Sequence, residues 1–465
     1  MNQRSLHRLT SLAPLAFALV LATGATLATE STASACGGCF VPPEDATVVT
    51  DHRMILSVAQ GQSTLYDQIR YQGLPQEFAW VLPISGEATV GLSADTLFST
   101  IGGFTQTTVV APPQNCPSPP SGCGGDFEAA SESRGAAGGP QAAPTDVTVT
   151  KVENVGPYAT VQLQSENAEA LNQWLADNKF SVPADVKPVI AQYVKEHFNF
   201  LAMKLRPGAN VQAMRPVRVT TKGPAVVLPL RMVAAGTGPV VGITLWVVGD
   251  GRYEPTNFPF FTVKADELVW DWTKSESNYK AVREERTAAN KGRGWELESA
   301  FRLPIGQIRT GLTSRFGPPG GSGDYTETPA TETSPAKTAD QVREEDLGVL
   351  FNKRNDGDFF VTRLRSDLAH AALTEDLALQ AAKDQSLVSN IRQVTKELNE
   401  PLCPVYVGCQ QTGTAPRSEA IRSSTNHCSA APSLAPSAQQ GLAAAAVGFV
   451  GLAFARAARR RRKQG

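Results

Sequence analysis

The chain has 465 residues, 42% of them hydrophobic and 19% charged, and a formal net charge of −1. That is enough apolar material for more than one buried core, and too much for a disordered chain. The charge balance offers no basic surface for nucleic acid, and five histidines leave little material for metal or acid–base sites.

Arg4, His7 and Arg8 precede an apolar segment from Leu12 to Ala28, and Ala33-Ser34-Ala35 supplies a small-x-small pattern. This predicts a secretory signal peptide over residues 1–35, cut by signal peptidase after Ala35, with the mature chain beginning near Cys36. Acylation of Cys36 is the alternative, disfavoured because Glu30 and a polar TESTAS stretch separate the apolar segment from the cysteine.

Residues 36–110 read as a β-rich part. Cys36 and Cys39 form a C-x-x-C, but Phe40-Val41-Pro42-Pro43 cannot continue as the helix that a redox motif uses. No second C-x-x-C or spaced histidine pair completes a zinc site, so a structural disulfide is favoured. Alternating segments at Thr47–Thr50, Met54–Val58, Thr64–Tyr71 and Phe78–Pro83 predict antiparallel strands, with His52 beside Asp51 in a turn. Residues 111–146, rich in Pro, Gly and Ala and holding Cys116 and Cys123, predict a disordered insertion. The alternation resumes at Val147–Val152 and Tyr158–Leu163, so the insertion reads as a loop within one domain.

Residues 147–316 form the central α+β part. A helix is predicted from Ser165, its N-cap, to Asn178, with Ala168, Leu171, Trp174 and Leu175 on one face. A second is predicted over Asp185–His197, with Val186, Val189, Ile190, Tyr193 and Val194 inward. Strands follow at Phe198–Leu205, Pro216–Thr220, Ala225–Leu230 and Val240–Val248; the last, VVGITLWVV, reads as buried on both faces. Lys274–Ala300 reads as helical with a break at Gly292-Arg293-Gly294. Residues 317–339 read as a linker and 340–409 as a helical part, with helices at Ala339–Asn352 and Glu375–Leu398. In the latter, Leu387, Val388, Ile391, Val394 and Leu398 fall at 3.6 spacing.

Residues 410–440 read as a stalk carrying Cys428. Gly441–Ala455 is an uncharged apolar run, and Arg456, Arg459, Arg460, Arg461, Arg462 and Lys463 follow in the 456–465 tail. This predicts a transmembrane helix with a basic cytoplasmic stop and everything upstream outside. Its length as a helix, about 22 Å against a hydrocarbon core of about 30 Å, makes the anchor marginal. The remaining cysteines, Cys403 and Cys409, complete three close couples. Pairing within each couple is the simplest arrangement, although six cysteines leave the connectivity open, and Cys428 stands alone. The fold class is α+β, a mainly antiparallel sheet with packed helices, low-complexity insertions and one C-terminal membrane helix.

Three segments carry a family pattern. CGGCFVP, DQIRYQGLPQEFAWVLPI, and LNQWLADNKFSVPADVKPVIAQYVKEHFNFLAMKL with VVLPLRM together resemble the bacterial family called domain of unknown function 2330, over roughly Cys36 to Leu398. The resemblance implies an exported protein of unassigned activity, with no catalytic residues to carry over. The tail resembles the MYXO-CTERM sorting signal: Cys428, the apolar run and the Arg459–Arg462 cluster match its parts. That likeness implies cutting near Cys428 by a rhomboid-like sorting protease and delivery to the cell surface; the spacer from Ser429 to Gln440 is longer than the pattern has.

No complete catalytic constellation appears. H-E-x-x-H and Walker loops are absent, Gly320-Gly321-Ser322-Gly323-Asp324 lacks the second glycine of a nucleophile elbow, and Asn355-Asp356-Gly357-Asp358 lacks the ligand series of a calcium loop. His197 beside Glu196, and His52 beside Asp51, read as surface polarity. Trp80, Trp174 and Trp246 read as core, Trp270 and Trp272 as a partly exposed pair. The sequence therefore predicts a noncatalytic binding or structural envelope module without cofactor, metal or nucleic acid, in contact with the membrane, its binding partner unknown. The alternative is an extracytoplasmic hydrolase whose residues converge only in three dimensions.

Overall fold

The computed structural model describes residues 39–40, 48–72, 79–118, 148–180, 186–209, 213–234, 239–315, 324–328, 335–354, 356–407 and 410–425. They fall into two compact units, divided after Pro112, around residues 271–275 and after Lys396.

The larger unit is α+β. Its main sheet has eight strands in the order Phe260–Phe261, Trp295–Pro304, Asp358–Ala369, Val240–Gly249, Val48–Val58, Gln62–Gln72, Val217–Lys222 and Ala88–Leu92. Pairing is antiparallel except between Val240–Gly249 and Val48–Val58 and at the short Phe260–Phe261 edge. The VVGITLWVV run lies centrally because it must be covered twice. Val241, Ile243, Leu245 and Val247 pack with Met54, Leu56, Leu297 and Leu364 on one face. Trp246 and Val248 pack with Ile55, Phe359 and Val361 on the other. Each such side chain, fully buried, contributes about 1.5–3 kcal/mol. Helices Asp95–Thr105, Ile305–Thr310 and Ala339–Leu350 cover the second face. A small sheet of Val227–Leu228, Leu377–Ala381 and Tyr253–Pro255 contributes to the core on the first.

A five-stranded antiparallel sheet runs Cys39–Phe40, Ala79–Ile84, Asn199–Leu205, Tyr158–Gln164 and Thr148–Val155. Strands from both sides of the Pro/Gly/Ala-rich stretch thus share one sheet, as the resumed alternation predicts. Alternation along AWVLPI decides which neighbour each residue meets. Val81 joins Phe200, Leu171, Trp174, Ile190 and Tyr193 in a core with the helices Ala168–Asp177 and Lys187–Lys195. Trp80, Leu82 and Ile84 join Leu201 and Met203 against Ala88, Val90, Val217 and Val219 of the main sheet.

Several local expectations change. The first helix is capped by Asn167, whose Oδ1 accepts from the Glu169 and Ala170 amides at 3.0 and 3.3 Å. Ser165 instead braces Asn167, its hydroxyl accepting from the Asn167 amide at 3.1 Å. Lys274–Ala300 is helical only over Tyr279–Ala289. Lys291 and Gly292 take positive φ of 56° and 69°, and the chain leaves as the strand Trp295–Pro304. Glu375–Leu398 is strand and loop: Val394 is buried while Leu387, Ile391 and Leu398 are 67%, 55% and 53% exposed, so their helical spacing marks no common face. Within 317–339, Tyr325 is buried in the second core. Residues 410–425, the start of the expected stalk, form a strand and a helix. No helix among the described residues is long and apolar enough to cross a membrane; Gly441–Ala455 lies outside them.

The smaller unit contains the antiparallel hairpin Leu402–Val407 and Gln410–Pro416, followed by the helix Arg417–Thr425. Glu397 accepts from Trp272 Nε1 at 2.8 Å and pairs with Arg417. Cys116 is bonded to Cys403, with Sγ atoms 2.04 Å apart.

Candidate functional site

That bond overturns the simplest cysteine arrangement, since Cys116 pairs with Cys403 rather than Cys123, and Cys403 with Cys116 rather than Cys409. The reason is topological: the hairpin brings Cys403 back across a separation of 287 residues, which local spacing cannot foretell. Cys39 lies in a strand opposite Trp80. Ala35, Cys36, Cys123, Cys409, Cys428 and Arg459 to Arg462 lie outside the described residues.

His52 is not in a surface turn. It sits within the Val48–Val58 strand, 1% exposed, and its partner is Asp67, at 3.1 Å from Nδ1 to Oδ1 and 3% exposed. The hairpin register explains the meeting: Met54 stands opposite Asp67, so His52 is its diagonal neighbour on the same face. His197 is exposed at positive φ of 60°, and its neighbour Glu196 pairs with Arg231 instead.

The His52–Asp67 pair lines a cavity of about 10 Å³, otherwise walled by apolar side chains including Trp80, Leu228 and Met232. That is room for about one water. A carboxylate on Nδ1 fixes the orientation of the ring, an arrangement suited to structural anchoring or to activating a single water.

Leu65, Leu82 and Pro229 wall this cavity and also line a larger groove of about 310 Å³. The groove lies where the end of the Ala79–Ile84 strand meets Val217–Lys222 and the Pro224–Pro229 segment, with Leu56, Ile84, Val219 and Val226 along it. Ser63, Ser85, Thr221 and Asp376 supply the polar positions. Asp376 is held rigidly: its Oδ1 accepts from the Tyr193 hydroxyl at 2.6 Å and the Arg231 amide at 3.0 Å, and its Oδ2 from Arg231 Nη2 at 2.7 Å. Arg231 also grips Glu196 at 2.8 and 2.7 Å and stacks 4.1 Å from the Tyr193 ring. Its guanidinium, hydrogen-bonded to Glu196, pulls that carboxyl below its ordinary range. Burial, then the charge of Asp376, pushes the Tyr193 phenol up. Both Asp376 oxygens are thus committed, leaving an apolar trough with one rigid anionic corner.

Of the expected core residues, Trp80, Trp174 and Trp246 are 2%, 4% and 1% exposed, and Trp270 and Trp272 are half-buried. Asp356 and Gly357 turn the chain into the Asp358–Ala369 strand, Gly357 at positive φ of 80°. Among the described residues no group of three or more His, Cys, Asp or Glu is placed to hold a metal ion.

Residues 30–380 match the family described as an uncharacterized protein conserved in bacteria (DUF2330). No curated protein and no solved structure matches the chain.

Proposed function

The chain belongs to the DUF2330 family of bacterial proteins, and from that premise we propose that it is an exported envelope protein that works by binding, with a small amphiphile as its ligand. The groove of about 310 Å³ carries this reading. Its size falls at the lower end of small-ligand sites, and apolar walls with a few fixed polar positions are their usual composition. The apolar body lies along Leu56, Ile84, Val219 and Val226, and the polar end stays near Ser85 and Thr221 at the rim.

Titration with N-phenyl-1-naphthylamine, competed with 1-dodecanol, tests the groove. We expect saturable one-to-one binding that Ala225→Trp abolishes with the circular dichroism unchanged. Binding that ignores that substitution, or none in the wild type, removes the proposal.

Export follows from the signal peptide of residues 1–35, and the Cys116–Cys403 bond supports an oxidising destination. Gly441–Ala455 and the Arg459–Arg462 cluster act as anchor, with Cys428 as the site of a rhomboid-like sorting protease. Fractionation and non-reducing intact mass are expected to show a mature start near Cys36 in the envelope fraction. A full-length cytosolic product with free thiols refutes export.

The hydrolase alternative rests on one observation, the His52–Asp67 pair lining a cavity of one-water size. A panel of p-nitrophenyl esters tests it: turnover that His52→Gln removes at unchanged stability adopts the alternative, and no turnover retires it.

A further inference from the structure

Glu296 and Glu298 stand two residues apart on the Trp295–Pro304 strand, 0% and 3% exposed. A bulge between Leu297 and Ser299 offsets the ladder there, and Arg365 is the cross-strand partner of Glu296. Over them lies the helix Tyr279–Ala289, which has no fully buried residue of its own. Its first residue makes the contact: the Tyr279 hydroxyl is 2.8 Å from Glu296 Oε1 and 3.4 Å from Glu298 Oε1.

One phenolic hydrogen cannot serve two carboxylates. The nearby cations do not resolve the shortage. Arg363 pairs with Glu298, and Arg283 with Asp367 at 2.9 Å. Arg392 spends Nε and Nη2 on the Val263 and Glu298 carbonyls at 2.7 and 2.8 Å. Glu296 Oε2 is buried and has no hydrogen-bond partner among the described residues.

We propose that Glu296, Glu298 and Tyr279 form a proton-binding site that fastens the helix Tyr279–Ala289 to the main sheet. One solvent proton on Glu296 Oε1 supplies the missing hydrogen: Glu296 donates to the Tyr279 oxygen, Tyr279 donates to Glu298, which Arg363 holds, and Glu296 Oε2 is left as an uncharged carbonyl oxygen. Burial first, and then repulsion from Glu298, pushes the Glu296 carboxyl up to about 7, against the opposing effects of Tyr279, Arg283 and Arg392. Losing the proton leaves two facing carboxylates under the helix, and undocking returns Glu296 to water.

Hydrogen exchange of the full-length protein, read on peptides from residues 279–289 and corrected for the intrinsic pH dependence, tests this. The opening of that helix should rise about tenfold per pH unit between acid and neutral pH and level off above it. Glu296→Gln should hold the low-pH protection throughout. A flat wild-type profile, or the same slope in Glu296→Gln, overturns the proposal. Should the variant fail to fold, the infrared pH-difference spectrum of the wild type decides: a protonated-carboxyl band titrating near neutrality is expected, and its absence refutes the site.

Discussion

Two carboxylates in the larger unit are equally inaccessible, Asp346 and Glu296, each 0% exposed. Asp346 is surrounded by donors: Arg218 at 2.7 Å on Oδ1, and Ser93 and Tyr325 at 2.6 and 2.8 Å on Oδ2. Tyr66 donates to its carbonyl oxygen at 3.2 Å. Burial pushes the Asp346 carboxyl up, and Arg218, Ser93 and Tyr325 work against that push. Glu296 has the Tyr279 hydroxyl, a second acid close by and one oxygen without a donor among the described residues. Burial alone therefore does not give a carboxyl its role; the number and charge of its donors do. Asp346 joins the Ala339–Leu350 helix to the sheet, while Glu296 sits under a helix that its own ionisation can push away.

The sharpest way to break this contrast is to remove the satisfied acid. Asp346→Ala leaves the Arg218 guanidinium with only the half-exposed Glu345, and should lower stability by about 3–5 kcal/mol. Urea unfolding reads it as a lower midpoint at constant slope; a loss under about 1 kcal/mol would show that donor number is not what matters.

Glu296→Gln comes next. The folded protein holds the Glu296 proton more tightly than the unfolded chain, so its contribution is whole below about pH 4.5 and is lost as pH rises to about 7. The stability of wild type relative to Glu296→Gln should therefore fall by on the order of 3 kcal/mol across that window. Parallel profiles for the two proteins would erase the distinction between Glu296 and Asp346. Smaller again is Gly91→Ala. An added Cβ would lie 2.5 Å from Arg218 Nε, and that guanidinium is fixed between Asp346 and Glu345. About 1–3 kcal/mol of overpacking is expected from thermal melts, and no change would mean that the Asp346 network is looser than its distances imply.

How far the sequence discloses these places depends on whether periodicity or register sets them. VVGITLWVV and the Ala168–Asp177 helix are legible because one unbroken run and one clean apolar stripe dictate their surroundings. The Asp95–Thr105 helix is hidden, since Ser, Thr and Gly interrupt Leu97, Phe98 and Ile101 and favour no helix. The burial of His52 had a signal: carrying the Met54–Val58 alternation back two residues puts it on the face of Met54 and Leu56. Its partner Asp67 follows only from the hairpin register. Glu296 and Glu298 are obscured where the segment is read as helix, because only a strand turns both acids to the same neighbours. The Cys116–Cys403 bond and the groove depend on segments far apart in the chain, which no local pattern encodes.

The smallest effect is the most discriminating. Tyr279→Phe removes one hydroxyl and leaves the ring to pack with Val263 and Leu268. With Glu296 protonated the loss is its neutral hydrogen bond with the phenol, about 1 kcal/mol, together with the long 3.4 Å contact from the phenol to Glu298. With Glu296 ionised the phenol is the donor that its Oε1 has, so the loss should grow toward the range of about 1.5–3 kcal/mol for bonds to charged groups. Removing that donor also lifts the Glu296 carboxyl further, since Tyr279, with Arg283 and Arg392, pulls it down. The cost of Tyr279→Phe should thus rise with pH in the wild-type background and stay level in Glu296→Gln. A pH-independent cost in both backgrounds would make Tyr279 a packing residue and place Glu296 with Asp346, as a buried acid whose charge the fold does not use.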